Sequence, residues 1–255
     1  MSEFIEKLKR GTQIVPAPMG FRSEPVKEKT KILLVAVVSQ PNIKNPEDYI
    51  AGADAGLLTM NNLASGMESL QKLNKVIADI PWGGWLRDAR WEKKEFPKLE
   101  CDFLIFSSDT PIFTLPAKLG RILELDNLAS DTLIRAIDDL PVDAIMINEK
   151  PGDLLNWQYI ASLQRLDNLL SKPLLVKVPS GITGSDLPML WGVGVDGIVI
   201  EVGASQPKDM MKELRQVVDK ASFPLPRKAK KPDVLLPFIS PEKPAESEEE
   251  EEEPE

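Results

Sequence analysis

A short pattern recurs four times along the chain, and it constrains the fold more than any other feature. Each copy has a small or apolar residue, then an Asp, then an apolar run that reaches a polar residue five positions after the Asp. The copies lie at 53–59, 101–107, 142–148 and 195–201, and further apolar runs at 31–37, 81–86, 121–125 and 173–178 alternate with them. Continuous apolar runs of this length are typical of parallel strands covered on both faces. We therefore predict eight parallel strands.

Segments with helical spacing of apolar residues lie between several of these runs. The clearest are 65–80, 130–140, 154–170 and 207–221, and the remaining connections are too short for long helices. Alternating strands and helices with short connections require a parallel sheet. The repeated two-strand unit favours a single (β/α)₈ TIM barrel with short helices, and an open doubly wound sheet is the alternative.

The two ends of the chain differ in composition from this central part. Residues 1–28 form an N-terminal arm, which prolines at 16 and 18 predict to be extended and which could plug the barrel floor. The barrel itself is expected at 29–222. Residues 223–255 are rich in Pro, Lys and Glu and cannot bury enough apolar surface to repay ordering. We predict a disordered acidic tail there, whose glutamate run at 248–253 could engage a basic protein partner.

Composition excludes several classes of function. The chain has no histidine and one cysteine, which removes Ser–His and Cys–His catalysis, His-ligated zinc and thiolate metal clusters, and we assign no metal site. The net charge of −9 argues against a nucleic-acid partner, because phosphate-binding surfaces need clustered positive charge. No run is apolar enough for a signal peptide or a membrane span. We therefore expect a cytoplasmic protein that contacts neither nucleic acid nor membrane.

The repeat also predicts which polar side chains share a site. Active sites of TIM barrels lie at the carboxyl ends of the strands, and alternate strands feed the same interior layer. Aligned this way, the even strands bring together Thr59, Ser107, Asn148 and Glu201, and the odd strands Val35, Trp85, Glu124 and Lys177.

Three of these residues are our catalytic candidates. Glu124 and Glu201 would flank Lys177, as acid–base chemistry requires, and Lys177 could be a base or a Schiff-base amine. The competing interpretation is that these charges only pair with one another inside the barrel.

Two glycine-containing loops follow the last two strands. Ser180 and Gly181 come after the seventh strand, and Gly203 and Ala204 come after the eighth. Backbone N–H groups in such loops can approach an anion closely, so we predict a phosphate pocket there, with Asn148 as a further ligand contact. Ordinary turn formation remains the alternative. Charged residues at the other strand ends, Arg87, Asp109, Asp126 and Glu149, are weaker candidates.

Two stretches resemble known TIM-barrel families. The sequence KPLLVKVPS at 172–180, followed by GVDGIVI at 194–200, resembles flavin-dependent barrels of the dihydroorotate dehydrogenase type. That resemblance implies that Lys177 contacts a flavin, so FMN is a possible cofactor. The loops at 180–182 and 203–205 are similar to the phosphate loops of barrels of the indole-glycerol-phosphate-synthase type. The resemblance covers about the last third of the chain and indicates no single family.

Two hypotheses of function follow. The first is a TIM-barrel protein that binds a small phosphorylated or flavin-like ligand at the carboxyl ends of its strands, with enzyme status open. The second is a catalytically degenerate barrel that acts as a scaffold or as a subunit of a complex.

Overall fold

The structure is a computed structural model. It describes residues 2–12, 32–39, 46–87, 100–112, 115–126, 129–149, 152, 155–179, 181–203 and 208–221. Ser180, Ala204 and the region of the predicted tail at 223–255 lie outside the described residues, as does the proline-containing part of the arm.

Eight parallel strands form one closed barrel in chain order. They are β1 Leu33–Val38, β2 Ala55–Met60, β3 Trp82–Leu86, β4 Phe103–Ser107, β5 Gly120–Leu125, β6 Ala144–Ile147, β7 Leu174–Lys177 and β8 Val195–Val202. All eight coincide with the apolar runs of the sequence. The pairing of β1 with β8, from Leu33 opposite Gly197 to Val38 opposite Val202, closes the barrel and excludes the open doubly wound sheet.

Helices pack around the barrel and are mostly short. They are α1 Glu3–Thr12, α2 Pro46–Ile50, α3 Leu63–Val76, α4 Asp131–Asp138, α5 Trp157–Leu169, α6 Leu187–Gly192 and α7 Met210–Lys220. The four helices that periodicity predicts are α3, α4, α5 and α7. Side-chain caps fix where three of these begin, because Asn62, Ser130 and Asn156 each accept a backbone N–H of the first turn. None of the helices in the described part of the chain is long and apolar enough to cross a membrane.

The prediction of an extended N-terminal arm is wrong for its first part. Glu3–Thr12 is the helix α1, because the apolar residues Phe4, Ile5 and Leu8 follow helical spacing and the prolines come only later in the chain. All three side chains are at most 1% exposed, and they join the apolar cluster that fills the barrel interior. The Phe4 ring lies 4.5 Å from the ring of Phe103, the first residue of β4. The helix α1 therefore closes the end of the barrel at which the strands begin, which we call the floor.

A glycine makes room for this packing. A Cβ atom on Gly83 of β3 would lie 2.3 Å from the Phe103 ring, far inside van der Waals contact. The ring of Phe103 therefore occupies the space that a side chain at position 83 would take, and in this position it contacts the ring of Phe4.

The aspartates of the repeat stabilise the floor. In three copies the carboxylate accepts the backbone N–H at or near the start of the preceding strand. These hydrogen bonds are Leu34 N–H to Asp54 at 2.8 Å, Arg121 N–H to Asp143 at 3.0 Å and Leu174 N–H to Asp196 at 2.7 Å. In these three copies the repeat thus marks a carboxylate that ties an even strand to the odd strand before it, beyond the usual ladder of backbone hydrogen bonds.

The fourth aspartate binds the helix α1 instead. The Asp102 carboxylate accepts the backbone N–H groups of Glu3 and Phe4 at 2.8 and 2.9 Å, and the Ser2 hydroxyl donates to it at 2.7 Å. The Ser2 oxygen in turn accepts the N–H of Ile5 at 3.2 Å, as an N-cap residue does. A carboxylate at a helix N-terminus also interacts favourably with the helix dipole. One member of the repeat therefore fastens the plug to the barrel.

Candidate functional site

Strand register brings the polar ends of the even strands into one layer at the carboxyl end of the barrel, which we call the mouth. Thr59 pairs with Trp85, and Ser107 pairs with Glu124. In an eight-stranded TIM barrel the tilt of the strands advances a layer by about one residue from each strand to the next. We applied this one-residue advance to each observed strand pair in turn, starting from Thr59. The layer that results contains Thr59, Ser107, Asn148 and Glu201, which are the four residues that the repeat predicts.

The odd strands supply the layer just below. The same counting places Trp85, Glu124 and Lys177 together, as the sequence predicts, but their partner on β1 is Val37 and not Val35. Alignment from the first residue of each apolar run misses this, because the strands do not begin at the same height. The β1 position of this layer is apolar in either case.

Glu124 is held by two neutral donors. The Trp85 indole N–H donates to its Oε2 atom at 2.6 Å, and the Asn148 side-chain amide donates to its Oε1 atom at 2.6 Å. Both carboxylate oxygens therefore have fixed partners, and each partner comes from a different strand. Such hydrogen bonds to an ionised group are the stronger kind and orient all three side chains.

Lys177 forms an ion pair with Glu201. Its Nζ atom lies 2.6 Å from the Oε1 atom of Glu201, and the two side chains are 3% and 41% exposed. Nζ also lies 5.2 Å from the centre of the Trp85 ring, within cation–π distance. The arrangement is thus a buried ammonium beneath a carboxylate that reaches solvent.

Trp85 connects the two halves of this site. Its side chain is fully buried, its N–H binds Glu124, and its ring faces the Lys177 ammonium. The Arg87 guanidinium carbon lies 4.6 Å from the ring centre as well. Sequence reasoning places Arg87 only on the rim and misses this contact. The available signal was the spacing of two residues along one strand, which puts both side chains on the same face.

Tyr159 supports the site from behind and is another residue that the sequence analysis misses. Its hydroxyl lies 3.4 Å from the backbone carbonyl oxygens of Lys177 and Glu149. Burial raises the pKa of the Tyr159 hydroxyl above its usual value, and the charge of Glu149 raises it further. The hydroxyl therefore stays protonated and remains a donor to the backbone at the end of β7.

Only part of the predicted phosphate pocket lies among the described residues. Gly181 is exposed, and a Cβ atom on Gly203 would meet nothing within 4 Å. Two donors of the nearby turn are already used. The Thr183 backbone N–H and hydroxyl bind the Asp186 carboxylate at 2.8 and 2.7 Å. Phosphate binding at these loops stays a prediction.

The family resemblance implies that Lys177 contacts a flavin, and the described residues do not fit that contact. The amine is buried beneath Glu201 and bound to it, so a flavin ring could touch it only after Glu201 moved away. Within the described ranges, no cluster of three or more His, Cys, Asp or Glu side chains is arranged to hold a metal ion.

Comparison with known proteins supports the fold. No protein-family model matches the sequence, and no curated protein matches it either. Among solved structures, thiamine phosphate pyrophosphorylase from Pyrococcus furiosus is similar, with 14% identity, a TM-score of 0.52, and coverage of 74% of this chain and 96% of that one. The tryptophan synthase A-subunit from Pyrococcus furiosus is similar with 9% identity, a TM-score of 0.55 and the same coverage. At these identities the likeness establishes the fold, and the chain is a TIM barrel as both of those proteins are.

Proposed function

We propose that the protein binds a small phosphorylated ligand at the mouth of its barrel. The observation that carries this proposal is the ion pair between buried Lys177 and half-exposed Glu201, set beside the Trp85–Glu124–Asn148 hydrogen bonds. A polar layer of this kind on top of an apolar interior is costly unless it has a purpose. One of the similar structures is named for a phosphorylated compound, thiamine phosphate, which agrees with this ligand class.

The three candidate catalytic residues have different parts in this proposal. Glu201 reaches solvent, so it is the carboxylate that would exchange a proton with a ligand. Lys177 holds Glu201 in place and would supply positive charge, or a nucleophilic amine once the pair opens. Both oxygens of Glu124 are occupied, so it would orient Trp85 and Asn148.

We assign the ligand's phosphate to the loops after β7 and β8. The proposed contacts are the backbone N–H groups of Ser180, Gly181, Gly203 and Ala204, with the Asn148 amide turned toward the ligand. The exposure of Gly181 and the open space beside Gly203 support this assignment, since a phosphate must approach the backbone closely.

Substitution of either glycine tests the assignment. In Gly181→Asp and Gly203→Asp the new carboxylate would occupy and repel the space of the phosphate, so stabilisation by millimolar inorganic phosphate should disappear. Thermal unfolding with and without phosphate measures this. Gly192→Asp is the matched control, because Gly192 is exposed, has open space for a Cβ and lies at the end of α6 that leads to the floor. If phosphate fails to stabilise the unsubstituted protein, the pocket is only a pair of turns.

The flavin-like variant of the ligand has its own readout. A bound flavin would give the purified protein absorbance in the visible region. A colourless protein that phosphate stabilises would support the phosphorylated ligand alone.

A scaffold function is the second candidate, and the contacts among the charged side chains of the inner layer favour it. Lys177 binds Glu201, and Glu124 binds Trp85 and Asn148, so the layer is complete without a ligand. In that case the barrel would be a subunit of a complex, with the acidic run at 248–253 as the predicted contact to a basic partner.

A further inference from the structure

We propose that Arg87 recognises a carboxylate on the ligand, so that the ligand class is a small phosphorylated carboxylic acid. This inference rests on the proposed function, because it adds a second recognition element to the same mouth.

Of the two cations that the structure describes at the mouth, Arg87 and Lys177, Arg87 is the one available to a ligand. The Lys177 ammonium is already bound to Glu201 at 2.6 Å. Arg87 contacts the Trp85 ring, and among the residues that the structure describes no carboxylate forms an ion pair with it. A partly buried guanidinium that stacks on a ring and has no carboxylate partner among the described residues is a site at which an anionic group of a ligand gains a strong interaction.

The geometry of the stack prepares Arg87 for this contact. A guanidinium over an aromatic ring keeps its N–H donors at its edge, where a carboxylate can bind two of them side by side. The Trp85 ring below cannot rotate freely, because its N–H is bound to Glu124 at 2.6 Å. The Arg87 side chain is thus already ordered before a ligand binds, so binding loses less of its conformational entropy.

The position of Arg87 sets the distance that such a ligand must span. Arg87 follows β3, whereas the proposed phosphate loops follow β7 and β8, which lie across the closed barrel from β3. Both Arg87 and Lys177 nevertheless lie over the same Trp85 ring. A compact molecule with one acidic group at each end would therefore bridge the mouth.

The charge balance favours a carboxylate over a second phosphate at Arg87. The inner layer carries Lys177 with two carboxylates, Glu124 and Glu201, and the described rim adds Arg87 with three more acidic residues, Asp109, Asp126 and Glu149. A dianionic phosphate beside Arg87 would place two negative charges near those carboxylates, whereas a carboxylate adds one.

Two matched pairs of probes test the inference. They are 3-phosphoglycerate against glycerol 3-phosphate, and phosphoglycolate against ethyl phosphate, each pair differing mainly by the carboxylate. We expect the carboxylate to strengthen binding at least tenfold in the unsubstituted protein, measured by isothermal titration calorimetry. In Arg87→Met this ratio should fall to near one, while the affinity for glycerol 3-phosphate stays nearly the same. Arg135→Met, on the exposed face of α4, is the control and should keep the ratio.

The outcomes separate the two proposals. If glycerol 3-phosphate binds and the carboxylate adds nothing, or if Arg87→Met keeps the ratio, Arg87 only covers Trp85 and the present inference fails alone. If none of the four probes nor inorganic phosphate binds, the proposed function fails and this inference with it. Arg87→Lys should show an intermediate ratio, because an ammonium keeps the charge but loses the paired donors.

Discussion

The floor and the mouth of this barrel use carboxylates in different ways. At the floor, every repeat aspartate accepts a backbone N–H group, three of them bind a side chain as well, and Asp196 is only 4% exposed. At the mouth, carboxylates meet side chains, and Glu201, five residues later on the same strand, is 41% exposed. Backbone partners cannot move without unfolding a strand, whereas side-chain partners can exchange for a ligand. The comparison teaches that one end of each strand is built for stability and the other for binding.

The largest expected effect is at the floor. Phe4→Ala removes a fully buried ring from its contact with Phe103, so the free energy of unfolding should fall by about 3–5 kcal/mol. Chemical denaturation measures this loss. Binding of phosphorylated probes, measured below the melting temperature, should be unchanged. If Phe4→Ala keeps its stability, α1 is not part of the barrel core. If it loses binding, the floor and the mouth do not have separate roles.

A mouth substitution should give the reverse pattern. Lys177→Met leaves Glu201 without its partner, but Glu201 is half exposed, so the loss of stability should be about 1–3 kcal/mol. If the layer is a binding site, the loss should be at the low end while affinity for phosphorylated probes falls at least tenfold.

The double variant Lys177→Met with Glu201→Gln sharpens the result. A purely structural pair should show strong coupling in the double-mutant cycle for unfolding, since removal of the second charge restores what removal of the first one cost. Strong coupling in stability, together with unchanged binding in both single variants, would support the scaffold function instead.

The helix cap at the floor should have a smaller effect. Ser2→Ala removes the hydroxyl that accepts the Ile5 N–H and donates to Asp102, which should cost about 1 kcal/mol in unfolding free energy. Ser69→Ala is the control, because that hydroxyl donates only to a carbonyl within α3. Equal effects of the two substitutions would mean that the contact with Asp102 adds nothing.

The last effect is confined to alkaline pH. Burial raises the pKa of the Cys101 thiol to about 12, with an opposing contribution from the Gly84 backbone and a further raising one from Asp102. The unfolded thiol ionises near 8.5, so the thiol's contribution to stability is full below that pH and is lost as pH rises toward 12. The stability difference between the unsubstituted protein and Cys101→Ser should therefore shrink between pH 8 and pH 10.5. A constant difference would mean that the thiol is accessible to water.

Much of the fold could be predicted because one pattern repeats on four strands. Each copy predicts a strand and also the position along the barrel axis of the polar residue at its end. The sequence alone could therefore group Glu124, Asn148, Lys177 and Glu201. The β1 residue was wrong, since a run of apolar residues does not show where a strand begins. The extended arm was wrong for α1, because the prolines were given more weight than the spacing of Phe4 and Leu8. The two-residue spacing puts Arg87 and Trp85 on one face, but periodicity alone does not show that the guanidinium lies over the ring.

The order of the strands has a consequence for synthesis of the protein. β8 is the last strand of the barrel, and it carries both Asp196, which holds the start of β7, and Glu201, which pairs with Lys177. It also pairs with β1, and the hydrogen bonds of that pair close the barrel. A growing chain on the ribosome therefore has two open sheet edges until residue 202 has emerged, and unpaired edges attract other strands. Closure of the barrel, the Asp196 contact and the ion pair all require β8, so none of them can form before that strand has left the ribosome.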